Sequence, residues 1–267
     1  MKSNSRYIDR ERYFEELYTS SKKYLFPYIN NYHCLSPACR ILEVGCGEGG
    51  NLLPFAEKGC NVFGCDISSN KIQNAIAFFE ARNRSGAFIC CNILDYSTEL
   101  TFDVIIVHDV IEHIEPEDKL HFFNKIGSLL NQNGVVFWGF PSWYMPFGGH
   151  QQILSGSICS KIPWIHLFSY SVYKSILLKI FKISIDKVNE LLSIKRSKMT
   201  IRRFEKICAQ SGQRIIDSKF WLINPYYESK FGLRPVKLPL LITKIPFICS
   251  LLATSCHYIT SNNLIKN

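Results

Sequence analysis

The sequence predicts an α/β fold: a doubly wound, mostly parallel sheet with helices on both faces, an insertion after strand five and a helical C-terminal tail. Three observations predict it. Strand-like and helix-like segments alternate with short connections from residue 40 to residue 140, the pattern of parallel strands joined by crossover helices. The fourth strand, Phe102 to Val107, is apolar almost throughout, as a strand covered on both faces must be. The first strand breaks off at the glycine-rich turn Gly45-Cys46-Gly47-Glu48-Gly49-Gly50.

Residues 7 to 33 mix tyrosines, Phe14, Leu17, Leu25 and Phe26 with charges, which reads as an N-terminal helical cap over 1–37. Arg40 to Val44 is the first strand. A helix follows from about Asn51 to Lys58, with Pro54 tolerable because it lies in the first turn, and Gly59 closes it. Asn61 to Cys65 is the second strand, ending at Asp66. Ser68 or Ser69 caps the next helix, with Ile72, Ile76 and Phe79 on one face. Ala87 to Cys91 is the third strand. After the fourth, Pro116 opens a helix bearing Leu120, Phe123, Ile126 and Leu130, which Asn133-Gly134 stops. Val135 to Phe140 is the fifth strand and completes a core over 38–140. Residues 141–198 break the rhythm with aromatics, glycines and basic residues, and read as an insertion covering the site. A helix from Thr200 to Gln210 and a strand from Arg214 to Leu222 return to the core over 199–225, and 226–267 is the tail.

A chain of 267 residues that is 47% hydrophobic and 20% charged can bury a sizeable core. The formal net charge is +9, yet the basic residues gather only in short groups such as Lys195-Arg196-Ser197-Lys198 and Arg202-Arg203. That pattern weighs against nucleic acid and suits an acidic substrate or an anionic membrane surface. The eleven cysteines include no CxxC pair, and Cys90 and Cys91, adjacent on a strand, point to opposite faces. With a polar N-terminus, Met1 to Arg6, this predicts a cytoplasmic protein with buried free thiols. Leu238 to Ile259 is mostly apolar but interrupted by Pro239, Lys244, Pro246 and His257, a poor spanning segment. Two readings stand: a buried helix, or peripheral membrane contact through residues 238–259.

Gly45-x-Gly47-x-x-Gly50, with Asp66 further on, satisfies a dinucleotide fingerprint literally. Glu43, two residues before the first glycine, argues otherwise, because its carboxylate would face an anionic pyrophosphate. S-adenosylmethionine has no phosphate and carries an ammonium and a sulfonium, so a nearby carboxylate favours it. Asp66 is placed to accept hydrogen bonds from ribose hydroxyls in either case.

Ile41-Leu42-Glu43-Val44-Gly45-Cys46-Gly47-Glu48-Gly49 resembles the first motif of the class I S-adenosylmethionine-dependent methyltransferases, whose fold is Rossmann-like. Cys65-Asp66-Ile67-Ser68 resembles their second-strand acid, and Phe102-Asp103-Val104-Ile105 their fourth strand. Asp109-Val110-Ile111-Glu112-His113-Ile114 is similar to the segment that follows in small-molecule members, those of the ubiquinone pathway among them. The resemblance covers residues 38 to 140. It implies that Glu43, Gly45, Cys46 and Gly47 surround the methionine part of the cofactor, and Asp66 and Ile67 the ribose and adenine. Asn92 and Ile93 follow the third strand, where the family often has an Asp toward the adenine; here the place holds Asn92, or the acid has moved to Asp95. His108, ending the fourth strand, completes the cofactor set.

Methyl transfer needs an acceptor held in line with the sulfonium and, for a hydroxyl, a group that takes its proton. Candidates cluster at the carboxyl ends of strands four and five: Asp109, Glu112 and His113 on one loop, and His150 on the next. In one reading Glu112 and His113 fix the loop beneath the sulfonium. In another Asp109, Glu112, His113 and His150 hold a divalent cation that acidifies the acceptor. The segment resembles the Glu-x-x-Glu-His of ubiquinone-pathway and small-RNA 2′-O-methyltransferases, with Asp in place of the first acid. His113 and His150 are the catalytic candidates, His150 as a direct base or as a polar surface residue. Trp143, Tyr144, Phe147, Trp164 and Phe168 either line an aromatic or isoprenoid acceptor pocket or pack the insertion onto the core. The expected activity is O-methylation of a small molecule, lipid precursor or glycan intermediate. The alternatives are an NAD-dependent oxidoreductase and a non-catalytic module that binds an adenosyl ligand.

Overall fold

The computed structural model describes residues 9–154 and 156–262; the polar segment Met1 to Arg6 lies outside the described residues. Eight strands form one sheet: β1 (Arg40–Val44), β2 (Asn61–Asp66), β3 (Ala87–Cys90), β4 (Phe102–His108), β5 (Leu130–Phe140), β6 (Gln213–Ile223), β7 (Val236–Lys237) and β8 (Ser255–Asn262). Their order is β3-β2-β1-β4-β5-β8-β6-β7. The first five strands are parallel, and β8 runs antiparallel to both β5 and β6.

Helices cover both faces. The N-terminal cap is α1 (Arg10–Ser20), continued through a π turn into α2 (Phe26–Asn30). With α3 (Leu53–Glu57) and α4 (Ser69–Glu80) it buries Phe14, Ile29, Phe55 and Phe79 against β1 and β2. On the other face α5 (Lys119–Ser128) and α8 (Ile201–Gln210) lay Phe123 and Phe204 on Trp138 of β5, with the Phe123 and Trp138 rings stacked 4.3 Å apart. Between them, residues 141–198 form tight turns, α6 (Tyr170–Ser175) and α7 (Ile185–Ser197), with their own small core of Leu154, Tyr173, Leu177, Val188 and Leu191.

Three expectations need correction. The tail is not helical throughout: α9 (Tyr226–Phe231), α10 (Leu240–Thr243) and α11 (Pro246–Leu252) are short, and Ser255–Asn262 is a strand inside the sheet. Its Tyr258, Ile259 and Thr260 favour extended backbone, and Thr260 Oγ1 accepts from Trp138 Nε1 at 2.8 Å, so tertiary pairing settles the conformation. The helix expected from Pro116 starts at Lys119 and ends before Leu130, which already belongs to β5. In that register Lys119 is buried and Leu120 is exposed, and Ile76 of α4 likewise faces out while Ala75 is buried. All eleven cysteines are free, but Cys34 and Cys90 are exposed rather than buried.

Candidate cofactor and acceptor site

Parallel pairing puts the carboxyl ends of the central strands on one edge. Val44 pairs with Cys65 and with Val107, and His108 pairs with Gly139, so Gly45, Asp66, Asp109 and the residues after Phe140 emerge together. The glycine turn requires left-handed backbone at Gly45 (φ 71°) and Gly47 (φ 53°). At Gly45 a β-carbon would meet Val110 Cγ2 at 2.4 Å, so the turn bearing Asp109 to His113 packs directly on the glycine loop. At Gly47 a β-carbon would meet nothing within 4 Å: this glycine faces open space.

Three acids stand on the loop and the strands beside it. Asp66 Oδ2 accepts from Gly47 N at 3.0 Å and Oδ1 from Ser68 N at 2.9 Å, which fixes the carboxylate at the end of β2. Glu43 is buried, its Oε1 accepting from Asn51 Nδ2 at 2.7 Å. Burial pushes its carboxyl up to about 8, only partly opposed by the Asn51 hydrogen bond. Glu48 of the same loop is buried and held by Arg10 of α1, whose Nε donates at 2.7 Å, so the helical cap is tied to the loop. Ile67, beyond Asp66, is 79% exposed, an uncovered apolar side chain beside a carboxylate that suits a ribose. Asn92 is exposed and closes its own turn, accepting from Leu94 N and donating to Asp95, while the Ile93 side chain is buried in the core. Toward a ligand, Ile93 therefore offers backbone only. The Cys46 side chain is buried likewise.

The second cluster lies on the adjoining turn. Glu112 is buried and neither carboxylate oxygen has a hydrogen-bond partner among the described residues. His150 Nε2 stands 3.8 Å from Glu112 Oε1, and the His113 and His150 rings are 5.2 Å apart. Ligand atoms of Glu112, His113 and His150 all lie within 4.8 Å of one another. Asp109, the fourth metal candidate, stands outside that group: in left-handed backbone (φ 54°), it turns its half-exposed carboxylate toward His108 Nδ1 at 3.4 Å. Burial and the neighbouring Asp109 charge drive the Glu112 carboxyl well above its usual range, and burial lowers His150 to about 4, so both imidazole and carboxyl favour their neutral forms.

Lys119 is the residue that sequence patterning missed. Its Nζ donates to Ile111 O at 2.6 Å, Ile114 O at 2.8 Å and Ser197 Oγ at 2.8 Å, clamping the Glu112-bearing turn to the insertion. Burial lowers it to about 7. A lysine at the start of a helix carries no sequence signal for such a role. His166, also unforeseen, is buried with Nε2 2.8 Å from Trp143 O, packing the insertion beside His150.

A general methyltransferase domain model matches residues 41–134, the span that holds the glycine loop, Asp66 and the Glu112 turn. Residues 41–134 are thus a methyltransferase domain, on a fold shared with S-adenosylmethionine-dependent methyltransferases. Over 104 residues it is 30% identical to a ubiquinone biosynthesis O-methyltransferase of Nitrobacter winogradskyi, covering 39% of each chain. Over 114 residues it is 28% identical to the protein of that name in Rickettsia felis, covering 43% of this chain and 46% of that one. The chain thus spans about two fifths of the length of these relatives. In fold it is similar to a S-adenosylmethionine-dependent methyltransferase of Clostridium acetobutylicum (TM-score 0.57, 12% identity, 92% of both chains). It is also similar to the magnesium protoporphyrin IX methyltransferase of Synechocystis with the cofactor bound (TM-score 0.53, 13% identity, 91% of this chain and 78% of that one).

Proposed function

We propose that this chain is an O-methyltransferase that moves the methyl group of S-adenosylmethionine to a hydroxyl of a small molecule, lipid precursor or glycan intermediate. The observation that carries the reading is the unsatisfied Glu112 carboxyl beside His113 and His150, on a turn packed against the glycine loop. A buried acid with both oxygens unpaired costs about 1–3 kcal/mol or more, so the site is suited to something that arrives with a substrate. The relatives' name, ubiquinone biosynthesis O-methyltransferase, supports oxygen as the acceptor atom.

In the reaction an acceptor lone pair forms the new O–CH3 bond while the C–S bond breaks and its electron pair returns to sulfur. The acceptor proton must leave, and His150, neutral at ordinary pH, is the group to receive it. Glu43 and Asp66 hold the cofactor's cationic and ribose ends, and Lys119 keeps the turn in place. The same residues favour a second reading. Glu112, His113 and His150 make an oxygen-and-imidazole donor set of the kind that binds a divalent cation, which would supply Lewis acidity for an acceptor hydroxyl. The free thiols support a cytoplasmic setting.

The test is label transfer from methyl-labelled S-adenosylmethionine to hydroxyl acceptors. The reading expects the label in ethers stable to base. Label appearing only in amines or base-labile esters would overturn it.

A further inference from the structure

We propose that the face shared by the insertion and residues 240–248 docks on an anionic lipid bilayer. Charge is divided unevenly along the chain. Residues 141–198 hold eight lysines and arginines against Asp186 and Glu190 alone, and residues 1–140 hold more acids than bases. The cationic part is also where apolar side chains stand uncovered. Leu240 is 80% exposed, Leu241 78% and Phe247 65%, and on the insertion Phe168 is 54% and Trp164 43% exposed. Tyr144 joins the two groups: its ring lies 6.4 Å from that of Phe247, and its carbonyl accepts from Trp164 Nε1 at 3.1 Å.

Cations flank the same tyrosine. Lys198 Nζ sits 5.7 Å from the Tyr144 ring centre, and Lys195, Arg196 and Lys198 border a cavity of about 360 Å³ with Trp143, Tyr144 and Tyr170. Basic heads beside an aromatic wall fit an acidic phospholipid headgroup, with the leucines and Phe247 free to enter the acyl boundary. Tyr173, Leu177, Val188 and Leu191 form the buried core of the insertion, and Trp164 and Phe168 stand outside it. Trp164 holds left-handed backbone (φ 59°), a conformation unusual for a tryptophan, and its ring remains outside.

Charge complementarity selects the partner. Two copies meeting through this face would bring like charges together, and a nucleic acid would gain nothing from Leu240 and Leu241. An anionic bilayer satisfies both the cations and the aliphatic side chains. Among the described residues no helix is long and apolar enough to cross a membrane, so the contact is peripheral. The expected range 238–259 narrows accordingly, because Ser255 onward lies in the sheet.

Co-sedimentation of the full chain with phosphatidylcholine vesicles, with and without phosphatidylglycerol, tests the face without needing turnover. Binding should rise about tenfold or more with phosphatidylglycerol and fall as salt increases. A triple Leu240→Ser, Leu241→Ser, Phe247→Ser variant should lose about tenfold or more, and Lys198→Glu with Lys244→Glu should remove most of the salt dependence. Should the triple variant fold poorly, brominated phosphatidylcholine mixed with phosphatidylglycerol should quench the parent's fluorescence, and Trp164→Phe should abolish the quenched fraction. No binding to phosphatidylglycerol vesicles at low salt, equal binding by a folded triple variant, or a dimer that the variant dissolves would each overturn the proposal.

Discussion

Asn51 donates its side-chain amide to one oxygen of Glu43 at 2.7 Å, and the other oxygen of Glu43 is buried with no partner among the described residues. Asn51 lies in the 3-10 turn Gly50–Leu52 that joins the glycine turn to α3, so loop and carboxyl are fixed as one unit. A half-satisfied buried carboxyl beside the loop suits a ligand that brings positive charge.

That arrangement predicts a pH-dependent cofactor affinity. Glu43 is pushed up to about 8 by burial, and a cationic ligand binds its ionised form better. Binding of S-adenosylmethionine should therefore weaken as pH falls below about 8, by up to about tenfold per unit, with proton release on binding. The ligand-free protein behaves oppositely. Its folded state keeps a proton that the unfolded chain has lost, so stability falls as pH rises from the ordinary carboxylate range through about 8. Calorimetric titration in buffers of different ionisation enthalpy reads both the affinity and the proton. Glu43→Gln should flatten the profile, and a parent profile that is already flat would exclude Glu43 from the contact.

The two glycines of the turn should separate folding from binding. Gly45→Ala would drive a methyl group into Val110 at 2.4 Å in left-handed backbone, with an expected loss of about 2–3 kcal/mol in denaturant unfolding. Gly47→Ala meets no atom within 4 Å, so its cost is limited to backbone strain of about 1 kcal/mol, while the new methyl occupies ligand space. Cofactor affinity should fall markedly in a protein that still folds. If Gly47→Ala binds as tightly as the parent, the loop does not face the ligand.

Base and cation readings of the Glu112 cluster diverge in a chelator. If a cation is required, activity disappears on chelation and returns with a divalent metal in the parent, but not in Glu112→Gln or His113→Ala. If His150 alone takes the proton, chelator has no effect. The rate then stays level through neutral pH and declines only toward about 4, where the imidazole becomes charged. His150→Ala should lower kcat about 100-fold or more under that reading while leaving cofactor affinity intact. Initial rates across pH, with and without chelator, distinguish the two.

The sheet and the edge that carries the glycine loop and Asp66 were legible because they rest on local signals. A strand that ends in Gly-x-Gly, an acid at the end of the next strand and a run such as Phe102 to Val107 carry their meaning in adjacent residues. The loops after strands four and five were legible in part: Glu112, His113 and His150 converge as their placement on neighbouring loops suggested, but Asp109 stands outside the group with its carboxylate beside His108. Lys119 could not be found by pattern, since its partners are carbonyls and a serine 78 positions distant. The strand Ser255–Asn262 was hidden by a run of apolar residues that reads equally as helix, and only pairing with β5 and β6 decides it.

The most direct test of the whole account is the affinity of the full chain for S-adenosylmethionine, S-adenosylhomocysteine and NAD, measured by titration on the parent and on Asp66→Ala. Asp66 is held by Gly47 N and Ser68 N at the end of β2, and loss of a charge-assisted bond to ribose should cost about 1.5–3 kcal/mol. The account predicts saturable binding of both adenosyl ligands, weakened about tenfold to 100-fold in Asp66→Ala, and no measurable binding of NAD. Tight binding of NAD, or adenosyl binding unchanged by Asp66→Ala, would contradict it.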